Sequence, residues 1–318
     1  MGTPSRVAIV GAGLIGRAFA ITFARAGHEV RLWDPAPDAA AAALAYVRSV
    51  GEDLARNDLL NGRSVDDIVG ALTPCASLAE ALDGVRWVQE CGPETIEVKR
   101  ASFAEIDRLA PADAVLASSS SALLPSAIFE AVPGRARGVV AHPINPPYLV
   151  PAVEVVPSRW TDPAVLERAV AFLAAAGQVP LRMEKEIDGF IMNRMQGALM
   201  EEAFRLVAGG YASAADVDRG IADGLALRWS FIGPFETIDL NAPGGIADYI
   251  ARYQPMYAGL FQGMRERVDW AEVAAGGVEA ERRAAVPAAQ LPARQRWRDR
   301  RLMALIAQKR RADRDIGR

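Results

Sequence analysis

Residues 6–16 have the sequence Arg-Val-Ala-Ile-Val-Gly-Ala-Gly-Leu-Ile-Gly. The apolar run before Gly11 predicts a short buried strand, and the apolar pattern after Gly16 predicts a helix. In such a unit the first glycine permits a tight turn, the second lets the backbone approach a pyrophosphate, and the third lets helix and strand pack closely. The helix N-terminus then offers free N–H groups to the phosphates. A glycine-rich turn without a ligand is the alternative. The predicted cofactor-binding residues of this segment are Gly11, Gly13, Leu14, Ile15 and Gly16.

The residue after the second strand indicates which dinucleotide to expect. Residues 29–33 predict that strand, and Asp34 follows it, 18 positions beyond Gly16. A carboxylate there accepts hydrogen bonds from the adenosine ribose and repels a 2′-phosphate, so NAD is favoured over NADP. Arg31 points to the opposite face of the strand by alternation and should not neutralise such a phosphate.

The order of predicted elements indicates the fold class and two domains. Strands alternate with helices as far as Pro180, a spacing typical of an α/β protein with a mostly parallel, doubly wound sheet. One long helical pattern then runs from Asp188 to about Ala208, and helices and turns follow it. For 318 residues two domains are expected. We predict a Rossmann-type NAD-binding domain at residues 1–186 and a helical domain for substrate binding and dimerisation at residues 187–318.

Composition argues against several classes of protein. The net charge of −3 gives no general attraction to nucleic acid or membranes. Cys75 and Cys91 are too few for a disulfide framework and indicate a reducing compartment. With only two widely separated histidines beside them, no zinc-binding spacing exists. The chain shows neither a signal-peptide pattern nor an apolar run of 18 residues, so we predict a cytoplasmic protein without a metal.

The C-terminal segment differs in charge from the rest of the chain. Residues 291–318 contain ten Lys or Arg and three Asp, a net charge of +7. An apolar stripe accompanies these charges, formed by Leu302, Met303, Leu305 and Ile306. The pattern predicts an amphipathic helix that packs on its own domain or on a partner subunit, with its charges in solvent and without a nucleic-acid role.

Residues 141–147, Ala-His-Pro-Ile-Asn-Pro-Pro, predict a rigid turn that holds a histidine. The prolines fix their own φ and restrict the residues before them. Beyond the turn, residues 152–156 predict a strand with Glu154 in an apolar setting. An imidazole on a rigid loop with a carboxylate one strand away is what a proton-transfer base requires. The spacing alone is explained equally well if His142 caps the turn and Glu154 is a solvated residue of an edge strand.

Several motifs along nearly the whole chain together resemble the 3-hydroxyacyl-CoA dehydrogenase family in order and spacing. They are residues 11–16, Asp34, Glu90 with Glu94 and Lys99, residues 117–123 (Ala-Ser-Ser-Ser-Ser-Ala-Leu), residues 142–146, Glu154 and residues 189–194 (Gly-Phe-Ile-Met-Asn-Arg). The second domain is more specific. Residues 224–241, Gly-Leu-Ala-Leu-Arg-Trp-Ser-Phe-Ile-Gly-Pro-Phe-Glu-Thr-Ile-Asp-Leu-Asn, are similar to the lambda-crystallin branch, whose activity is L-gulonate 3-dehydrogenase and whose relatives include carnitine dehydrogenase.

The resemblance implies a catalytic dyad of His142 and Glu154, with Ser121 and Asn193 holding the substrate oxygen. Ser121 follows the carboxyl end of a predicted strand, where open α/β sheets bind ligands; a helix cap is the alternative. Asn193 falls inside a predicted helix, where asparagine is a poor helix former and is expected for its side chain. An exposed polar helix position is the alternative there.

The resemblance also implies that Glu90 and Lys99 belong to the cofactor site, with Glu90 near the nicotinamide ribose. A plain acidic residue at a strand end is nearly as good an explanation of Glu90. His28, at a helix–strand turn, is interpreted as structural.

Two departures from the acyl-CoA branch favour a small free acid as substrate. That branch has a lysine-rich helix after the second strand, whereas residues 36–62 offer only Arg48 and Arg56. The Leu-Arg-Trp setting of Arg228 is also absent from that branch. A guanidinium can clamp a free carboxylate with two parallel hydrogen bonds. A surface or interface ion pair is an equally weighted alternative for Arg228.

Together these patterns predict an NAD-dependent dehydrogenase that oxidises the 3-hydroxyl of a small hydroxy acid such as L-gulonate. The family further implies a homodimer formed through the second domain. One alternative keeps the chemistry and uses a 3-hydroxyacyl-CoA such as 3-hydroxybutyryl-CoA. The other is a non-catalytic, crystallin-like NAD-binding protein, against which the joint presence of the four predicted catalytic residues argues.

Overall fold

The computed structural model describes residues 4–317 and forms two compact units. The first consists of the residues up to Asn193 together with Asp299–Ala307, and the second of Arg194–Arg298 with the residues from Gln308 onward. The predicted boundary near residue 186 lies close to the first change of unit. The return of the chain to the first unit at Asp299 had no counterpart in the prediction.

The first unit is built on an eight-stranded sheet. Its strands are β1 (Arg6–Val10), β2 (Glu29–Trp33), β3 (Leu72–Pro74), β4 (Trp87–Glu90), β5 (Val115–Ser118), β6 (Gly138–Pro143), β7 (Ala152–Pro157) and β8 (Val179–Arg182). Their order is β3-β2-β1-β4-β5-β6-β7-β8. β1 to β6 run parallel, β7 is antiparallel to β6, and β8 is parallel to β7. The strand order reverses between β1 and β4, the switch point at which open α/β sheets bind ligands.

Helices flank this sheet and form the second unit. Those of the first unit are α1 (Leu14–Arg25), α2 (Ala39–Arg56), α3 (Val65–Gly70), α4 (Leu78–Leu82), α5 (Ile96–Leu109), α6 (Pro125–Phe129) and α7 (Pro163–Ala175). The later ones are α8 (Met192–Ala208), α9 (Ala214–Arg219), α10 (Ala226–Trp229), α11 (Pro234–Leu240), α12 (Gly245–Gly263), α13 (Trp270–Val273), α14 (Glu279–Ala285) and α15 (Leu291–Asp315). The predicted α/β fold with a following helical domain is confirmed.

Alternation along the strands explains why the sheet is covered on both faces. In β1, Val7 and Ile9 belong to one apolar cluster, and Ala8 and Val10 belong to the other. Successive side chains of a strand point to opposite faces, so each face needs its own helical layer. A parallel sheet of this kind positions the carboxyl ends of its strands along one edge.

Two strands were not predicted, and two local predictions were wrong. β3 and β8 are only three and four residues long and therefore show little pattern in the sequence. His142 was placed in a turn, but β6 continues to Pro143 and includes it. The long helix was expected to begin at Asp188, whereas α8 begins at Met192, after Gly189 and Phe190 with φ of +76° and +50°. Those left-handed residues interrupt the helical backbone.

The apolar stripe of α15 packs against the first unit. Met303 is 1% exposed, and Leu302 and Ile306 pack against the same core cluster. Arg300 Nε donates to Asp53 Oδ2 at 2.8 Å, and the Arg300 guanidinium holds the pKa of Asp53 below its usual range. The prediction that this helix packs on its own, second domain is therefore wrong, because this part of α15 belongs to the first unit. Of the stripe, Leu305 alone stays exposed.

None of the helices within residues 4–317 has the length and apolar character needed to cross a membrane.

Replacement of the buried methionine should destabilise the first unit. Met303→Ala should lower the free energy of unfolding by about 2–5 kcal/mol, because the lost side chain leaves a cavity. Leu305→Ala, on the same helix but at a position that is 41% exposed, should change it by less than about 0.5 kcal/mol. Urea denaturation followed by circular dichroism measures both. Equal losses in the two variants would contradict the packing of α15.

Candidate active site

The turn between β1 and α1 is closed toward the protein and open on its outer side. Gly11 has φ of +97°, and a Cβ there would lie 2.9 Å from the carbonyl carbon of Cys91. A Cβ on Gly16 would lie 1.8 Å from the carbonyl oxygen of Gly11. At Gly13, by contrast, an added Cβ would meet no atom of the described residues within 4 Å apart from those of the glycine and its own chain neighbours. The free first-turn N–H groups of α1 beside this open backbone suit an anionic group such as the NAD pyrophosphate.

Asp34 is fixed by two backbone groups at the end of β2. Its Oδ2 accepts from the Ala12 N–H and its Oδ1 from the Ala36 N–H, both at 2.8 Å. The first of these bonds joins the carboxylate to the glycine turn itself. Each carboxylate oxygen has two lone pairs, so both can still accept a hydrogen bond from a ribose hydroxyl.

Glu90 and Lys99 form a buried ion pair at the carboxyl end of β4. Lys99 Nζ lies 2.7 Å from Glu90 Oε2 and 3.0 Å from Oε1, and both side chains are 1% exposed. Ser118 Oγ and the Gly92 N–H donate to the same carboxylate. A buried charge requires such partners. The structure places both residues next to the switch point, and their contact with the cofactor remains a prediction.

Glu94 has a structural role that the sequence analysis did not assign. Its Oε1 accepts from Ser120 Oγ at 2.5 Å, from the Ser121 N–H at 2.9 Å and from the Ala122 N–H at 3.0 Å. Burial raises the pKa of Glu94, but these hydrogen bonds outweigh it and hold the value below the usual range. Glu94 therefore stays charged and fixes the serine loop after β5. The one feature of the sequence that pointed to Glu94 was its position between Glu90 and Lys99 in the family-like motif.

The loop held by Glu94 contacts the start of α8. Asn193 Nδ2 donates to the Ser121 carbonyl oxygen at 2.8 Å, so the structure brings these two predicted substrate-binding residues together. Asn193 lies in the first turn of α8 and not in the interior of a helix, which corrects the reason given for its side chain. Ser121 is exposed, as a residue that contacts a ligand must be.

His142 and Glu154 face each other on adjacent antiparallel strands. They are directly paired in the β6–β7 register, and Nδ1 lies 2.6 Å from Glu154 Oε2. Glu154 Oε1 accepts from the Ile191 and Met192 N–H groups at 2.6 and 2.8 Å. The relative exposures of His142 and Glu154 are 3% and 0%, so the alternative of a solvated edge-strand glutamate is wrong. Because a carboxylate only accepts, it favours the proton on Nδ1 and leaves the lone pair on Nε2.

Neither Asn145 nor Cys91 was assigned a role from the sequence; Asn145 lies in the loop after β6, and Cys91 lies beside the glycine turn. Asn145 Oδ1 is buried without a hydrogen-bond partner among the described residues, and such an atom in this loop is a candidate for a ligand contact. No sequence signal singled it out from its proline neighbours. Burial raises the pKa of the Cys91 thiol to about 12, so Cys91 is not a nucleophile at neutral pH.

Arg228 lies in the second unit, at α10. Its side chain is exposed, and Nη1 lies 3.4 Å from Asn241 Oδ1. A single long contact leaves most of the five guanidinium donors available. Its role toward a substrate remains a prediction.

His28 is enclosed by aromatic rings, as expected of a structural histidine. Its ring centroid lies 5.0 Å from that of Phe172 and 6.3 Å from that of Phe23. Burial lowers the pKa of His28 below its ordinary value.

Comparison with known proteins identifies the family. A family model described as "3-hydroxyacyl-CoA dehydrogenase, NAD binding domain" matches residues 6–187, and one described as "3-hydroxyacyl-CoA dehydrogenase, C-terminal domain" matches residues 189–276. The chain belongs to the 3-hydroxyacyl-CoA dehydrogenase family. The resemblance noted in the sequence is thereby confirmed.

Individual relatives narrow the position within this family. The chain is 41% identical over 310 residues to lambda-crystallin of Oryctolagus cuniculus, covering 96% of each chain. It is 40% identical over 251 residues to L-carnitine dehydrogenase of Streptomyces griseus, covering 79% of this chain and 74% of that protein. Among solved structures, 5-formyl-3-hydroxy-2-methylpyridine 4-carboxylic acid 5-dehydrogenase, described as an NAD⁺-dependent dismutase, superposes with a TM-score of 0.81 at 25% identity, covering 96% and 99% of the two chains.

These matches establish the class of activity. The chain is an NAD-dependent dehydrogenase that acts on a CH–OH group, and NAD is its cofactor, as predicted. The glycine turn, the first turn of α1 and Asp34 are the groups of this chain that fit the dinucleotide. Bound NAD supplies the acceptor for the hydride.

The charge of Asp34 should govern the choice of dinucleotide. NADH should bind at least about tenfold more tightly than NADPH, because like charges about 4 Å apart repel by roughly 1–4 kcal/mol. Asp34→Asn removes the charge, retains one accepting oxygen and should narrow this gap. Asp34→Ala should narrow it too and weaken both cofactors, since the bonds to Ala12 and Ala36 are lost. Isothermal titration calorimetry of the three proteins with each dinucleotide measures all six affinities. Equal binding of NADH and NADPH by the unmodified protein would contradict the role of Asp34.

Proposed function

We propose that this protein oxidises the 3-hydroxyl of a small free hydroxy acid, L-gulonate or a close analogue, with NAD as the acceptor. The observation on which the chemistry rests is the buried His142–Glu154 pair. It lies at the edge of the sheet that also bears the glycine turn and Asp34. Its Nε2 lone pair, opposite the bonded Nδ1, is the group that can accept a proton.

The proposed mechanism assigns one task to each residue. His142 Nε2 accepts the proton of the 3-hydroxyl group. At the same time the C3–H bond breaks, and its hydrogen leaves with both bonding electrons as a hydride for NAD. Glu154 keeps the ring oriented and stabilises the imidazolium that forms, as the aspartate does in a serine-protease triad. Ser121 and Asn193 hold the substrate oxygen. In the reverse direction the imidazolium returns the same proton.

The histidine should be required for turnover and not for cofactor binding. His142→Asn should lower kcat about 10²–10⁴-fold, the usual contribution of general acid–base catalysis, with the affinity for NAD little changed. His28→Asn makes the same chemical change at the other histidine and should leave turnover per folded molecule intact. Undiminished turnover in His142→Asn would refute the mechanism.

Three features support a free acid over a thioester. Residues 39–56 form α2, and this helix has arginine only at positions 48 and 56 and no lysine for the CoA phosphates. The relatives include enzymes named for L-carnitine and for a pyridine carboxylic acid, which are small acids. Arg228 retains donors that suit a carboxylate.

A turnover screen tests this proposal directly. With NAD as acceptor, gulonate, carnitine, 3-hydroxybutyrate and 3-hydroxybutyryl-CoA should be compared by kcat/KM, and a free acid should be preferred. Preference for the thioester would favour the acyl-CoA alternative. NAD binding without turnover of any of the four would favour a non-catalytic, crystallin-like role.

Arg228 should bind the carboxylate of the substrate. Loss of a charge-assisted contact costs about 1.5–3 kcal/mol, so Arg228→Ala should raise KM for the acid about tenfold or more without altering NAD binding. Arg228→Lys should recover only part of this, because an ammonium cannot make the two parallel bonds. Arg252→Ala, which removes an exposed arginine of α12 that pairs with Asp248, is the matched control. If Arg228→Ala instead unfolds, or loses its oligomeric state with KM unchanged, Arg228 is architectural.

We further propose a cytoplasmic homodimer that forms through the second unit. Among its described residues only Thr237 and Ala242 are buried, which is too little for an independent core. Large apolar side chains are exposed instead, including Phe231 at 71%, Phe235 at 76% and Phe261 at 54%. Apolar surface of this extent marks an interface between proteins. The two free cysteines are compatible with a reducing compartment.

Light scattering at micromolar concentration should therefore give a particle of about twice the 34.0 kDa chain mass. A symmetric dimer repeats every contact, so Phe235→Asp should place two charges in the interface and shift the population toward monomer. A single 34.0 kDa species in the unmodified protein would contradict the proposal.

A further inference from the structure

The loop between β6 and β7 connects the two strands that present the dyad. Residues 144–151 form this loop, and few backbone hydrogen bonds hold it. The Leu149 and Val150 N–H groups both donate to the Pro146 carbonyl oxygen at 2.9 Å, while Pro146 and Pro147 have no N–H to donate. Such a loop must be positioned by contacts with the rest of the unit.

Tyr148 supplies those contacts from both its backbone and its side chain. It is 2% exposed, and its hydroxyl lies 2.8 Å from the hydroxyl of Tyr46. Its carbonyl oxygen accepts from Arg25 Nη1 at 2.7 Å. The residue is thus held at two points in the middle of the loop.

The partners of Tyr148 lie on the two helices that follow the glycine turn. Tyr46 is in α2, and its ring is covered by the Arg17 guanidinium, 3.8 Å from the ring centroid, a cation–π contact that orients the ring. Arg17 and Arg25 are both in α1, whose N-terminus is part of the cofactor site. The loop between the two strands of the dyad is therefore anchored to α1, whose first turn fits the dinucleotide, and to α2.

The two hydroxyls are not needed to fill the core. Two phenylalanines would pack the same rings without burying polar groups, and a buried hydroxyl costs free energy unless it is hydrogen-bonded. Burial also raises the pKa of Tyr148, as does the neighbouring Tyr46. The hydroxyl pair therefore persists across the range of pH in which an imidazole changes its charge.

We propose that the Tyr46–Tyr148 hydrogen bond positions His142 against Glu154 and the reacting hydroxyl. Both tyrosines are positioning residues that act through the β6–β7 loop and do not touch the substrate. A displacement of about 1 Å at a reacting group can lower the rate by up to about 10²-fold. A contact that fixes the loop can therefore change the rate of the chemical step. The inference rests on the dyad proposed above.

Removal of either hydroxyl tests the proposal. Tyr46→Phe and Tyr148→Phe should each lower kcat about tenfold, a fraction of the largest cost of misplacement, with KM for the acid and the affinity for NADH nearly unchanged. Because each single variant already loses the Tyr46–Tyr148 hydrogen bond, the double variant should be no slower than either of them. The rising limb of kcat/KM against pH should move to lower pH, since a displaced carboxylate stabilises the imidazolium less.

Ser49→Ala is the matched control on the same helix. Ser49 Oγ donates to the Tyr46 carbonyl oxygen at 2.7 Å, so this variant removes a hydrogen bond from α2 without touching the loop. It should leave kcat and the pH profile as they are. An equal loss of kcat in Ser49→Ala would overturn the proposal in favour of a general effect of α2 stability.

The remaining outcomes separate this inference from the dyad itself. Tyrosine variants with a lower Tm but unchanged kcat and pH profile would overturn the proposal and make the pair purely structural. Full turnover in His142→Asn would refute the dyad and this inference with it. Should Tyr148→Phe fail to fold, Tyr46→Phe removes the same bond from the half-buried partner and decides the question alone.

Discussion

The buried carboxylate of Glu154 is the interaction on which this edge of the sheet depends. It is fully enclosed, and it accepts from the His142 imidazole and from the Ile191 and Met192 N–H groups. A charge removed from water is tolerable only when such partners surround it. One side chain thereby joins β6, β7 and the N-terminus of α8, where the backbone N–H groups of a helix favour an anion.

The strand order explains why this pair lies at the cofactor edge. β6 runs parallel to the dinucleotide-binding strands, so its carboxyl end lies at the same edge as the turn after β1. β7 returns antiparallel, which puts Glu154 directly opposite His142. A parallel neighbour would require a long crossover connection and would bring its own carboxyl end to this edge. The change of strand direction at β7 thus lets two residues twelve positions apart in sequence meet across a short loop.

A second set of carboxylates organises the adjacent edge of the sheet. Glu90 neutralises Lys99 in the interior, Glu94 gathers the N–H groups of the serine loop, and Asp34 accepts from the glycine turn. Each acid thus satisfies backbone or buried groups that would otherwise lack partners. For Asp34 the same bonds fix the carboxylate beside the glycine turn. A substitution at any of these acids would therefore leave hydrogen-bonding groups of the first unit without their partners.

The sequence by itself determined the dinucleotide fold, the preference for NAD and the identity of the histidine and glutamate. Glycine spacing, strand–helix alternation and a carboxylate after β2 are local patterns with direct physical causes. Only the tertiary structure decided between a buried, hydrogen-bonded pair and a solvated glutamate, because that distinction depends on which strands are neighbours and on what α8 contributes. Likewise, the stripe of α15 is the same sequence whichever surface it packs on, and only the structure places Met303 in the core of the first unit. The roles of Glu94 and Tyr148 arise from contacts across 26 and 102 positions, and short-range periodicity holds no information about partners so distant.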